Sequence, residues 1–257
     1  MCEILGICGQ QPFAANDMLD SFFAHGQICK DGWGLAVFHK DRVTVEKEPT
    51  CAVRSQYLRH RLSGEIKARN FIAHLRKATL GRVEYANCHP FVRDDDSGRT
   101  WTLVHNGTLF NGTYTSRFLD QQEGSTDSER ILLYLISLVN DHIAEYGNPP
   151  DEEERCAIMN ELAVRLSDGN KLNLLVFDGA VMYVHANCPQ TLHIWQDEEK
   201  VFFATVPVRF DGWREITLNQ LFAYKEGKLI YSGTPHEHVF YDEEHDYTSL
   251  FSAFSEL

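Results

Sequence analysis

The chain has 257 residues, 43% of them hydrophobic and 24% charged, as in an ordinary globular protein long enough to bury a full core. Its 24 Lys and Arg against 37 Asp and Glu leave a formal charge of −13 with no basic block, which excludes nucleic acid as a partner because that affinity rests on clustered cations. Seven cysteines without a Cys-x-x-Cys pair, and an apolar run over residues 4–8 too short for a leader or a span, predict a reducing, cytoplasmic setting with no membrane. In that setting the sequons at Asn106 and Asn111 are coincidences of composition.

In chain order, residues 2–8 read as a strand, and 33–39 pairs with 43–47 across a turn at Lys40-Asp41. Residues 55–62 read as a short helix. The next segment, 70–76, alternates, with Phe71, Ala73 and Leu75 on one face and Ile72, His74 and Arg76 on the other. Strands at 91–93 and 100–105 flank the acidic turn Asp94-Asp95-Asp96-Ser97-Gly98, read as a solvated hairpin tip. A long helix over 127–146 carries Ile131, Leu132, Leu135, Ile136, Val139 and Ile143 at helical spacing, with Thr126 and Glu129 as a capping box and Gly147 as its stop. A second helix begins after Pro149-Pro150 and ends near Gly169. Three hairpins follow, at 172–185, 192–205 and 222–231. Connections this short predict largely antiparallel sheets and an α+β sandwich, spanning residues 1–257 as one domain.

The most informative position is the second. Removal of Met1 ahead of a small residue would make Cys2 the true N-terminus. Its thiol, with a pKa of about 8.5, would then share one residue with an α-amine of about 7.7–8, so a proton passes between them at little cost. One residue thereby supplies nucleophile and base. On position alone a buried strand-edge thiol is the simpler reading.

Five motifs in order reverse that preference. They are Cys directly after Met1, Asp31-Gly32-Trp33-Gly34, a segment from Asn70 to Thr79 that leads to Asn87-Cys88-His89-Pro90-Phe91, His105-Asn106-Gly107, and Ser125-Thr126-Asp127-Ser128-Glu129. This set resembles the class II glutamine amidotransferases, which are N-terminal nucleophile hydrolases, and especially their stand-alone bacterial group. The likeness extends to Ala204-Thr205-Val206-Pro207 and Trp213. It implies an αββα sandwich of two mainly antiparallel sheets between helical layers. It also implies Cys2 as nucleophile, with the Asn106 side chain and the Gly107 N–H as oxyanion donors. Arg76 and Thr79 would hold the substrate α-carboxylate and Asp127 its α-ammonium. A planar guanidinium suits a carboxylate, and paired N–H donors suit a developing oxyanion.

The implied reaction is hydrolysis of the γ-carboxamide of glutamine through a γ-glutamyl thioester, releasing ammonia, with no metal and no organic cofactor. Partners would be glutamine or a γ-glutamyl amide, with a separate synthase subunit as ammonia acceptor. The alternatives are hydrolysis of a γ-glutamyl amide or peptide of a larger molecule, and a non-catalytic module that binds a glutamine-like ligand. His89 receives no proton-transfer role, and Cys88 shows no partner base. His236, His238 and His245 with Glu243 and Glu244 read as a solvated loop rather than metal ligands. One departure stands out. Where many family members carry Arg-Gly, this chain reads Gln27-Ile28-Cys29-Lys30-Asp31, so the loop over the site differs.

Overall fold

Alternation of apolar side chains along the strands decides the architecture. The computed structural model describes residues 1–40, 42–79 and 81–242. The strands, in chain order, are β1 (Glu3–Ala14), β2 (Gly32–Phe38), β3 (Val43–Glu48), β4 (Lys67–Arg76), β5 (Phe91–Asp94), β6 (Thr100–His105), β7 (Leu174–Phe177), β8 (Met182–His185), β9 (His193–Gln196), β10 (Lys200–Ala204), β11 (Arg214–Glu215), β12 (Phe222–Lys225) and β13 (Lys228–Ser232). They form two sheets, ordered β11-β9-β10-β1-β4-β2-β3 and β13-β12-β8-β7-β6-β5. Every neighbouring pair in both is antiparallel.

Three apolar layers follow. On β1 and β4, Leu5, Ile7, Phe71, Ala73 and Leu75 face outward and pack on Met18, Leu19, Phe22 and Phe23 of helix α1 (Asn16–Ala24) and Leu58 of α2 (Gln56–Ser63). Ile4, Cys8 and Ile72 face inward and meet Val104, Leu175 and Phe177 of the second sheet. Gly6 lets the sheets approach there, since a Cβ would lie 2.8 Å from the Leu175 side chain. The outer face of the second sheet, with Trp101, Leu103, Val176 and Tyr183, packs under α3 (Asp127–Tyr146) and α4 (Glu152–Ser167). The result is the αββα order of layers, helices outside and two antiparallel sheets between.

Several details differ from the sequence reading. Helix α1 is absent from it, although Met18, Leu19, Phe22 and Phe23 recur at helical spacing. β1 runs on to Ala14 through a register shift between Cys8 and Phe13. Thr126 makes no side-chain cap bond, so the expected capping box does not form. Glu129 instead accepts from the backbone N–H groups of Glu123 and Gly124 at 2.8 and 2.9 Å and meets Arg93 at 3.5 Å. A reciprocal box does form at α4, between Asp151 and Glu154. Gly147 closes α3 in the left-handed conformation, φ 74°. In the acidic turn Asp95 is buried rather than solvated, accepting from Trp101 Nε1 at 2.9 Å and from the Ser97 N–H. His236 is half-buried against His185, with its Nε2 3.0 Å from that ring. Asp41, Glu243, Glu244 and His245 lie outside the described residues.

Candidate active site

The inward layer ends where β1 begins. β4 runs antiparallel beside β1 and stops at Arg76, with Glu3 opposite Leu75, so the next residues on both chains meet at one edge. There Cys2 Sγ accepts from the Lys77 N–H at 3.3 Å and lies 3.3 Å from the Lys77 carbonyl. The facing sheet delivers Asn106 and Gly107 directly after β6. Asn106 is held by its N–H to Asn173 O at 3.0 Å and by its side-chain amide to Thr205 Oγ1 at 3.4 Å. The same hydroxyl oxygen accepts from the Ile4 N–H at 3.0 Å, which ties the first strand to the Asn106 side chain. Gly107 admits no side chain, because a Cβ would lie 2.0 Å from Lys171 O.

Two compartments meet at Cys2. One is small, about 40 Å³, and is lined by Cys2, Arg76, Thr79, Gly107, Asp127 and the rings of His89 and His105, among others. The other is a cleft of about 390 Å³ lined by Met1, Cys2, Thr79, Asn106, Gly107 and Lys171, among others. All six predicted positions therefore border one compartment or both. Asp127, at the first turn of α3, is buried and accepts from the Leu109 N–H at 2.7 Å through one carboxylate oxygen. Arg76, buried, also lines the small compartment and donates to the carbonyls of Arg82 and Gly81 at 3.0 and 3.3 Å. A cation and an anion thus flank a volume suited to the head of an amino acid.

Two of the sequence motifs lock together to build this wall. A Cβ on Gly34 would fall 1.9 Å from His89 O, and one on Gly32, where φ is +152°, would fall 2.8 Å from Cys88 Sγ. Only glycine lets the Asn87–Phe91 segment lie against β2. Asn87 then anchors the α3 approach, donating to Ser125 Oγ at 2.9 Å and accepting from the Ser125 N–H at 2.7 Å. Asp31 fixes the loop after β4 by accepting from the Ala78 N–H at 2.8 Å.

The histidines beneath the site carry no charge at neutral pH. Burial, and then the Arg76 guanidinium, push His74 down to about 3. Burial drives His89 far below its ordinary value, and His105 is lowered by burial against the pull of Asp127. His105 donates from Nε2 to Lys171 O at 3.1 Å, so its Nδ1 accepts from Ser128 Oγ at 2.9 Å. The charged residues that line the small compartment are therefore Arg76 and Lys77 against Asp127. The Cys2 thiol itself is raised, chiefly by burial, against the lowering effect of the Lys77 N–H. With Met1 attached it is a thiol, not a thiolate.

These shifts set an acid limit on stability. His74 and His185 each fall to about 3 in the folded chain from an ordinary 6.5. Between those values the unfolded chain binds protons that the folded one refuses. Their contribution is therefore complete above pH ~6.5 and is lost on acidification, by up to about 1.4 kcal/mol per pH unit for each ring. The melting temperature should be level from pH 8 to 7 and fall steadily below 6.5 in differential scanning calorimetry. A midpoint unchanged between pH 7 and 5 would contradict the neutral, buried assignment.

Several residues of the site escape a reading by motif. The Lys77 backbone and the roles of Asp31 and Thr205 depend on cross-strand register, and Lys171 and Asp242 arrive from the far end of the chain. The departing loop also finds its place. Cys29 Sγ lies 3.2 Å from Met1 O, and His25 Nδ1 lies 2.8 Å from Glu3 Oε2, so this loop packs on the N-terminal residues. Among the described residues no group of three or more His, Cys, Asp or Glu is arranged to hold a metal.

The family model of class-II glutamine amidotransferases matches residues 1–197. Escherichia coli YafJ, assigned as a glutamine amidotransferase, is 30% identical over 202 residues, 75% of each chain. A Pseudomonas aeruginosa protein assigned to the same activity superposes with a TM-score of 0.60 at 20% identity, covering 90% of this chain and all of that one. The glutamine phosphoribosylpyrophosphate amidotransferase of Bacillus subtilis gives a TM-score of 0.63 at 18% identity over 90% of this chain. This chain spans only about half of that enzyme, 48% of its length. With a family match over most of its length and the two-sheet sandwich common to these structures, the chain belongs to the class II glutamine amidotransferases.

Proposed function

We propose that the protein hydrolyses a γ-carboxamide of the glutamine type, with Cys2 as nucleophile after Met1 is removed. The observation that carries this reading is that Cys2 lines both compartments, sharing both with Gly107 and the smaller with Arg76 and Asp127. The α-amine of Cys2 takes the thiol proton and sulfur bonds to the carbonyl carbon of the γ-carboxamide, whose C=O π pair moves onto oxygen. The Asn106 amide and the Gly107 N–H hold the oxyanion while Arg76, Thr79 and Asp127 hold the amino-acid head. The leaving nitrogen takes the proton back from the ammonium and departs, and water then cleaves the thioester to glutamate. The raised thiol of the unprocessed chain supports the need for that amine. A glutamine-like diazoketone should alkylate the processed protein once, at Cys2, as read by peptide mass spectrometry. Alkylation elsewhere, or none in protein shown by mass to begin at Cys2, would refute the assignment.

The glutaminase unit in this reading spans residues 1–257. Beyond the family match, β10 pairs with β1 and β12 with β8, which supports one unit. Cytoplasmic residence is supported by seven free cysteines. No helix of the described residues is long and apolar enough to cross a membrane. When ammonia is the product, a separate synthase subunit could collect it at the mouth of the larger cleft.

A further inference from the structure

The two compartments at Cys2 differ in size by about an order of magnitude, roughly 40 against 390 Å³. The small one accounts for an amino-acid head. Ammonia is one nitrogen atom and needs no cavity, whereas a cleft of this size falls within the ~300–1,000 Å³ typical of small-molecule sites. The larger side therefore fits a departing group bigger than ammonia.

The charge in that cleft says what kind of group. Lys171 lines it with a side chain only 3% exposed, paired with Asp242. Its backbone is clamped beside the oxyanion donors, the N–H donating to Thr108 O at 3.1 Å and the carbonyl accepting from the Thr108 N–H at 3.0 Å. Among the described lining residues the charged side chains are Lys77 and Lys171 against Asp242. The Lys171 ammonium also touches the Met1 sulfur, so removing Met1 both enlarges the cleft and frees a donor of that ammonium. Withdrawing an ammonium from water costs several kcal/mol, which the Asp242 carboxylate offsets, so a group that takes the place of that carboxylate must itself be anionic.

We propose that Lys171 is a specificity residue for the departing half of the amide. It binds an anionic group, such as a carboxylate, on the amine that leaves, so the favoured substrates are γ-glutamyl amides of anionic amines. Asp242 is the internal carboxylate that such a ligand replaces. This rests on the glutaminase reading above and adds to it the class of leaving group. It leaves the bond-breaking step unchanged, with the amine in place of ammonia accepting the proton.

The test uses Cys2→Ala protein, whose mass shows Met1 removed and which binds without turnover. Calorimetric titration compares γ-glutamylglycine with γ-glutamylglycinamide, which differ by a carboxylate against a carboxamide of the same shape. The carboxylate ligand should bind about tenfold or more tightly, as expected of one charge-assisted hydrogen bond. Adding Lys171→Met should erase that ratio, and adding Asp242→Asn should widen it. If Lys171 only anchors the C-terminal segment through Asp242, its replacement would weaken both ligands alike and leave the ratio intact, which overturns the proposal. Equal affinity in the Cys2→Ala background also overturns it while leaving the thiol-labelling result untouched. Failure of both ligands to bind, with no labelling of Cys2, overturns this inference together with the glutaminase reading.

Discussion

Cys2→Ala protein should release ammonia from glutamine at a rate at least about 10⁴-fold below that of the parent, because no other group can take over the attack. The nearest thiols are poor substitutes. Burial pushes Cys88 up to about 11, and its sulfur lies against Gly32 behind the wall of the site. Burial, and then Glu3, push Cys29 up to about 12, and its sulfur points at the Met1 carbonyl. Removing the Cys2 sulfur disturbs little packing, since the residue is half-buried and, among the described residues, its sulfur is bonded only to the Lys77 backbone. A normal melting temperature should therefore accompany the loss. A chain that keeps Met1 should be equally inactive, because the amine that accepts the thiol proton is then tied up in a peptide bond. Ammonia release measured beside the intact mass of each preparation checks both. Turnover within tenfold of the parent in Cys2→Ala would end the mechanism.

The second large effect is expected at Asn106. Asn106→Ala should lower kcat by about 10²–10³ with KM changed only a few-fold, the signature of a donor used mainly when negative charge has developed on oxygen. The backbone of residue 106 would stay in place, because its N–H to Asn173 O does not involve the side chain. Thr205 Oγ1 would lose one of two donors and keep the Ile4 N–H. Steady-state kinetics on glutamine separates the cases. A loss confined to KM would mean that Asn106 contacts the bound amide and its transition state equally, and the oxyanion role would fall.

Much of the scaffold was legible from periodicity. Alternation predicts the two faces of residues 70–76, and Phe71 and Ile72 lie in different apolar layers. Helix α3 was legible because six apolar residues recur on one face over its twenty residues. Helix α1 is too short for its period to stand out, and the motif at Thr126 predicts a cap that does not form, because a motif cannot show where a glutamate side chain turns. Glu129 finds two backbone N–H groups on the preceding loop and Arg93 on β5, and a carboxylate with three such partners does not reach back to its own helix start. The acidic turn misled for a similar reason. Asp95 is drawn inward by the indole N–H of Trp101, a partner six residues away whose burial depends on α3 and α4.

What the sequence determined unaided were the features whose physics is local: a cysteine at the second position, the strand and helix periods, and the glycine that stops α3. The six site positions came from the order of motifs, which carries no distances. Only the tertiary structure decided that the volume beside Cys2 is divided into a small charged compartment and a larger cleft, and that Lys171 meets Asp242 in the second. Thr205 reaches both Ile4 and Asn106, across 201 and 99 residues of chain. Such contacts are set by which strands pair and how two sheets stack, and alternation within one segment is silent about its partner in another.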